Sequence, residues 1–298
     1  MTTKRALLIV NPRAGKVKNT EVITDYIKTE FGKCGTEVDV RYTTCKGDAT
    51  VIAEDNAGKY DFYICCGGDG TFSETISGIM QMDEKVPIGY IPTGSTNDMA
   101  KTLNLPKDFK QATHVCAAGV PTAHDVGVFN EEMYFAYIAS FGAFTEVSYS
   151  TSQKMKNNFG HFAYIIGGVR QIPHLRSYNV TVRANGEEFT GDILFGSVSN
   201  TLSFAGLFSF NKEDVSLSDG EFEVLLVKKP TGAITLGRTV HGMLHKKYEK
   251  NNIILLHAKE VEFEFNSDVP DWSLDGEHCS GRQRITARAA EKTIEIIR

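Results

Sequence analysis

Tyr60-Asp-Phe-Tyr-Ile-Cys-Cys66 runs directly into Gly67-Gly-Asp-Gly-Thr71, and that into Phe72-Ser-Glu-Thr-Ile-Ser-Gly-Ile-Met80. The first run is apolar and of strand length, whereas Phe72, Ile76 and Ile79 recur at helical spacing within a helical pattern over Phe72–Met82. Gly67, Gly68 and Gly70 allow a tight turn between the two, so the stretch reads as strand, glycine loop and helix. The same unit recurs on both sides. Ala6–Val10 is a buried strand, and Val22, Ile23, Tyr26, Ile27 and Phe31 share one helical face. Val38, Val40 and Tyr42 alternate with Glu37, Asp39 and Arg41 as in a strand with one wet face. Gly47–Gly58 is helical in pattern, Pro87–Ile91 a fourth strand and Asn97–Leu103 the start of another helix. Repeated strand–helix units predict a parallel sheet with helices on both faces.

From about residue 126 the pattern changes. Tyr178, Val180 and Val182 alternate with polar residues, and Asn185-Gly186 is a strong hairpin signal. Strands are expected at 191–198, 221–228, 261–266 and 284–288, with helices near 159–172 and 232–247. The fold class is therefore α/β plus β. A doubly wound α/β domain occupies 1–125, and an antiparallel, β-sandwich-like domain occupies 126–287. Residues 288–298, which hold a last strand at Thr293–Ile297, can complete the first domain, although the pattern alone does not choose between the two.

The 298 residues agree with two domains, and 41 % hydrophobic with 23 % charged residues is ordinary for a globular chain. A formal net charge of −5 argues against a nucleic-acid partner. The longest apolar runs are far below the ~20 residues a bilayer span requires. Met1-Thr-Thr-Lys-Arg5 leads straight into the first strand without a leader-like apolar stretch, which is the expectation for a cytoplasmic protein. None of the six cysteines forms a C-x-x-C pair, so neither structural zinc nor a disulfide framework is expected.

In a doubly wound sheet, ligands bind at the carboxyl ends of the strands. Three loops leave such ends here: Asn11-Pro-Arg-Ala-Gly15-Lys16, Gly67–Thr71, and Pro92-Thr-Gly94-Ser95-Thr-Asn97-Asp98. Glycine lets backbone N–H groups approach a phosphate, and a following helix adds its positive end. One such loop is weak evidence, since most Gly/Asn/Asp clusters are plain turns; three on one edge point to phosphate binding. Neither G-x-x-x-x-G-K-[ST] nor a strand-borne G-x-G-x-x-G is present, which excludes the commonest nucleotide folds.

Gly67-Gly-Asp-Gly-Thr71-Phe-Ser-Glu74 resembles the GGDGTxNE signature of the diacylglycerol kinase catalytic domain, with Ser73 standing where the family usually has Asn. The Asn11–Lys16 opening, Thr43 ahead of Lys46-Gly-Asp48, the Pro92–Asp98 loop and Trp272-Ser-Leu-Asp275-Gly276-Glu277 follow in the family's order. The resemblance spans the whole chain and is nearest to bacterial lipid kinases related to sphingosine and ceramide kinases.

It implies an ATP- and Mg²⁺-dependent kinase for a lipid hydroxyl, most simply diacylglycerol to phosphatidic acid. Phosphoryl transfer needs charge neutralisation, in-line placement and a base. By the resemblance, Gly67, Gly68, Gly70 and Thr71 cradle the nucleotide phosphates, Asp69 holds Mg²⁺ beside them, and Asn11, Gly15, Lys16, Thr43, Glu74, Gly94, Ser95 and Asn97 contact the nucleotide. It makes Asp275 the general base; Glu277, two residues on, is a like charge expected to make it more basic. Asp219, with the carbonyls of Ser216 and Glu221, is the expected structural Mg²⁺ site. His241 and His245, at helical spacing but with no Glu between them, are read as ordinary surface or core residues. The rivals are a soluble-substrate kinase of the NAD kinase type and a catalytically silent nucleotide-binding module. The partners expected are a lipid substrate, a membrane surface met peripherally, and a second copy paired through a sheet edge. The 40 residues between Glu146 and Glu187 contain no Asp or Glu but include Lys154, Lys156, Arg170, Arg176 and Arg183, interleaved with Phe159, Phe162, Tyr164 and Tyr178. That make-up suits either a face that docks on anionic headgroups or a core helix with incidental bases.

Overall fold

The computed structural model describes residues 3–15, 19–143, 176–204, 208–211, 213, 215–246, 248, 251–290 and 293–298. Lys16, the helix expected near 159–172, and most of the acid-free stretch lie outside the described residues. The chain divides into two compact units, Met1–His124 with Lys292–Arg298, and Asp125–Glu291.

The first unit is built on β1 (Lys4–Val10), β2 (Thr36–Tyr42), β3 (Phe62–Gly67), β4 (Ile88–Pro92), β5 (Pro121–His124) and the chain's last strand, β19 (Ile294–Ile297), in the order β2-β1-β3-β4-β19-β5. All neighbours are parallel except β5, which runs antiparallel to β19. Ala6–Val10 and Phe62–Cys66 are buried throughout, as sheets covered on both faces require. Five helices pack on it: α1 (Thr20–Lys33), α2 (Asp48–Asp55), α3 (Asp69–Met80), α4 (Asp98–Thr102) and α5 (Phe109–Ala118). The α1 start is fixed by Asn19, whose side chain accepts the Val22 N–H. The α3 helix starts at Asp69, three residues before the apolar pattern does, so Asp69-Gly-Thr71 is its first turn rather than loop. A core of Leu8, Ile27, Phe31, Ile64, Ile91, Ala112 and Cys116 joins α1 and α5 to the sheet. Gly89 is required there, because a Cβ would lie 1.9 Å from the Cys116 sulfur. Burial pushes the Cys66 and Cys116 thiols up to about 12, so they pack as small hydrophobes. All six cysteines are free thiols.

The second unit is antiparallel. Its strands are β6 (Gly127–Phe129), β7 (Met133–Phe135), β8 (Ile138–Gly142), β9 (Tyr178–Ala184), β10 (Glu187–Ser199), β13 (Phe222–Lys228), β14 (Ile253–Ala258), β15 (Glu260–Phe265), β16 (Trp272–Leu274), β17 (Glu277–Cys279) and β18 (Arg284–Ala289). They follow one path, β17-β16-β8-β10-β9-β15-β18-β6-β7, with β13 and β14 branching from β10; β11 (Ser203–Phe204) and β12 (Phe208–Ser209) form a separate ribbon. The long β10 makes the branch. It pairs with β9 up to Ile193 and with β8 from Phe195, and its register with β13 shifts between those residues. A bend at such an irregularity lets one strand serve two layers. Asn185 and Gly186 take φ of 53° and 77°, the left-handed pair a two-residue hairpin needs. The core is aromatic: Trp272 lies 4.8 Å from Phe141 and 5.1 Å from Phe129, ring to ring. One helix, α6 (Ala233–His245), lies between β13 and β14 in the chain.

Two members of the acid-free stretch are corrected here. Arg183 donates to Glu188, Glu262 and Glu264, each at 2.7 Å, so its charge is already countered within the sheet. Tyr178 is 6 % exposed and belongs to the core. Among the described residues no helix is long and apolar enough to cross a membrane.

Candidate active site

The three loops leave β1, β3 and β4 at their carboxyl ends, and those strands are neighbours, so the loops must meet. Glycine makes the meeting possible. Gly15, at φ 63°, would place a Cβ 1.8 Å from the Thr93 carbonyl oxygen, and one on Gly94 would lie 2.6 Å from the Gly68 Cα. Gly67 is equally confined, since its Cβ would come within 2.7 Å of the Thr71 side chain. Polar groups then tie the loops. The Asn11 amide donates to Thr71 Oγ1 at 3.0 Å, while its oxygen accepts the Arg13 N–H at 2.9 Å. Asn97 is left-handed at φ 51° and donates to the Gly94 carbonyl at 2.9 Å. Asp69 bridges two loops: its carboxylate accepts the Asp98 and Met99 N–H groups, both at 3.0 Å.

That bridge corrects one expectation. The first-turn amides of α4 were to face a phosphate, but Asp69 takes two of them. The α3 start differs. Its N-cap, Gly68, has no side chain to cap it, which leaves the N–H groups of Asp69-Gly70-Thr71 directed out of the first turn. Glu74 ties a further element: its two carboxylate oxygens accept the N–H groups of Gly47 and Ala49 at 2.8 and 3.3 Å, so it holds the start of α2. Thr43 is buried with its N–H on the Val10 carbonyl, extending the β1–β2 ladder, and Ser95 is exposed.

In the second unit, Asp275-Gly276 is the two-residue turn between β16 and β17, at φ 50° and 90°. Asp275 is 3 % exposed. Its Oδ2 accepts the Ala136 N–H at 2.6 Å, and its Oδ1 those of Tyr137 and Ile138, each at 3.0 Å. The carboxylate is therefore held by backbone donors. Three amides of one segment surround it, while Glu277 opens β17 two residues on. Just before this turn, Ser273, Ser140 and Ser197 stand in register across β16, β8 and β10, all buried.

Asp219 lies exposed in the turn before β13, its Oδ1 accepting the Glu221 N–H at 3.1 Å. Two residues absent from the sequence reading complete this turn. Asp125 is 3 % exposed, accepts the Gly220 N–H at 2.6 Å and donates its own N–H to the Leu217 carbonyl. The Asn200 amide donates to the carbonyls of Asp125 and Leu217. Burial, and then the nearby Asp219 charge, push the Asp125 carboxyl up. Two neighbouring carboxylates beside a turn rich in carbonyls form a donor set suited to a hard cation. Ser216, at the start of the turn, is exposed. Among the described residues no three His, Cys, Asp or Glu side chains gather as a metal cluster. Only the position of Asp125, at the change from α/β to β patterning, hinted at its importance.

Residues 5–129 match the family described as diacylglycerol kinase catalytic domain. The chain is 33 % identical over 277 residues to a diacylglycerol kinase of Bacillus subtilis (strain 168), covering 92 % of this chain and 90 % of that one. It is 34 % identical over 296 residues to a diacylglycerol kinase of Staphylococcus epidermidis, covering 98 % and 92 %. A crystal structure of a diacylglycerol kinase from Bacillus anthracis str. Sterne superposes with a TM-score of 0.77 at 21 % identity, over 99 % of this chain and 96 % of that one. That likeness concerns the fold.

Proposed function

Since the chain belongs to the diacylglycerol kinase family and is a lipid kinase, we propose that it transfers the γ-phosphoryl group of ATP to the hydroxyl of diacylglycerol or a close relative. The P–O bond to the β-phosphate breaks, a P–O bond to the lipid oxygen forms, and phosphatidic acid and ADP result. The observation that carries the reading is the mutual seating of three glycine loops, each stripped of side chain where it meets the next. Bare backbone at the head of α3 suits a polyphosphate. Asn11, Gly15, Gly67, Gly68, Gly70, Thr71, Gly94 and Asn97 form the cradle, with Lys16 adding a point charge. Asp275 accepts the proton of the lipid hydroxyl, its orientation fixed by the amides of 136–138. Mg²⁺ would be the cation: Asp69 would hold it at the phosphates, Asp219 with the Ser216 and Glu221 carbonyls would hold a structural one, and it would supply charge neutralisation.

The test is transfer of label from γ-labelled ATP, with Mg²⁺, across diacylglycerol, monoacylglycerol, phosphatidylglycerol, ceramide and undecaprenol in mixed micelles, and to NAD in solution. Label in phosphatidic acid is expected. Label on NAD alone would make the chain a soluble-substrate kinase, and ATP binding without transfer to any lipid a silent module.

A further inference from the structure

A lipid kinase must meet a surface that carries its substrate, and α6 presents a face suited to one. Its buried residues, Leu236, Thr239, Val240 and Met243, lie on one side. On the other, Ile234, Arg238, His241 and His245 follow one another at spacings of four, three and four, which stacks them along one line of a helix. All four are exposed, and Ile234 is 75 % exposed, the highest among the large apolar residues found at the surface. The two histidine rings lie 4.2 Å apart, centre to centre. No carboxylate within the described residues pairs with Arg238. The local sequence explains this: the 25 residues between Glu223 and Glu249 hold no Asp or Glu, where an average of 37 in 298 would place about three. The same 25 residues hold five Lys or Arg.

An apolar side chain standing out beside a guanidinium with no carboxylate partner among the described residues and two imidazole N–H donors, on a stretch cleared of acids, is complementary to phosphate headgroups with acyl chains beneath them. Resting on the lipid-kinase reading, we propose that the outward face of α6 docks the enzyme on an anionic lipid surface: Ile234 enters the headgroup boundary, and Arg238, His241 and His245 contact lipid phosphates. This assigns the contact to a part of the chain other than the acid-free stretch before Glu187, whose described bases, Arg176 and Arg183, lie over the Tyr178 ring and on three carboxylates respectively.

The test uses the full chain and sedimentation with vesicles of phosphatidylglycerol and phosphatidylcholine in equal parts, against vesicles of phosphatidylcholine alone. Wild type should bind the anionic vesicles, and less as salt rises. The double variant Ile234→Ser, Arg238→Gln should bind at least about fivefold more weakly, the worth of one basic residue near a charged membrane. Both positions are exposed, so its melting temperature and its turnover of a short-chain diacylglycerol in solution should match wild type. A control on α1, Val22→Ser with Lys28→Gln, removes the same kinds of exposed group and should leave binding unchanged. Unchanged vesicle binding in the α6 variant, or an equal loss in the α1 control, would overturn the proposal. Neither result touches the lipid-kinase reading, which fails only if wild type turns over no lipid.

Discussion

Replacing Asp69 by Asn should destabilise the protein even when neither nucleotide nor metal is present. The carboxylate accepts the N–H groups of Asp98 and Met99, one on each oxygen, and so caps α4 from a different loop. Asparagine keeps one acceptor oxygen and turns an NH₂ toward the other amide. One charge-assisted hydrogen bond is lost and the remaining one becomes neutral. A hydrogen bond to a charged group contributes about 1.5–3 kcal/mol, and loss of a helix cap costs about 1 kcal/mol, so about 2 kcal/mol is expected. For a chain of this size that lowers the melting temperature by roughly 3 °C. The assay is thermal unfolding followed by circular dichroism in EDTA, with amide hydrogen exchange of Met99 as the local reading. Exchange there should speed up by roughly 30-fold if α4 opens on its own. The Mg²⁺ requirement for ATP use should rise as well, because the variant also loses a charge beside the phosphates. The reasoning is refuted if melting and Met99 exchange match wild type while only the Mg²⁺ titration moves; Asp69 would then serve the cation and not the loops.

Gly15→Ala forces a Cβ into the Thr93 carbonyl and strains a φ of 63°, so ATP affinity measured by calorimetry should fall at least tenfold. Asp275→Asn should keep ATP affinity but lower kcat by on the order of 10²–10⁴, and should lower the melting temperature because three amides lose an anionic acceptor. Asp39 accepts from the Tyr60 hydroxyl at 2.9 Å and from Arg5 at 3.0 Å, and these hold its carboxyl below the ordinary value. Its contribution is therefore full above the unfolded-state pKa and lost as pH falls through the folded one. The gap in unfolding free energy from urea titration between wild type and Asp39→Asn, below about 1 kcal/mol for a side chain 37 % exposed, should close below about pH 4. Mg²⁺ without nucleotide should raise the melting temperature of wild type by mass action and not that of Asp219→Ala; a rise that persists in the variant places the ion elsewhere.

The α/β half was legible because its signals are local. Apart from the alternating β2, the strands of the parallel sheet are short apolar runs, each of the three loops carries glycine, and the helices follow within a few residues. Even the boundary that shifted, α3 starting at Asp69 instead of Phe72, did so because a helix's first turn needs no apolar residue. The second half was less legible, because what organises it is remote in sequence. No local pattern shows that β10 serves two layers, that β6 pairs with β18 across about 160 residues, or that β8 pairs with β16 across about 130. Arg183 illustrates the difficulty. Counted along the chain it sits in an acid-free stretch, yet Glu262 and Glu264 reach it from β15, about 80 positions on.

The same distinction separates the two kinds of residue in the candidate site. Gly15, Gly67 and Gly94 are demanded by contacts at their own backbone, and the residue type announces the demand. Asp69, Glu74 and Asp275 announce only that a carboxylate is present; what each one does is decided by which amides the fold brings to it. In all three the partners are backbone N–H groups of a distant segment: α4 for Asp69, the start of α2 for Glu74, and 136–138 for Asp275. A carboxylate so placed couples loop geometry to whatever binds at the loop, because moving the amides moves the charge. Substitutions at Asp69 and Glu74 should therefore register in stability and in nucleotide affinity together, whereas Ser95, which carries no such tie among the described residues, should register in affinity alone.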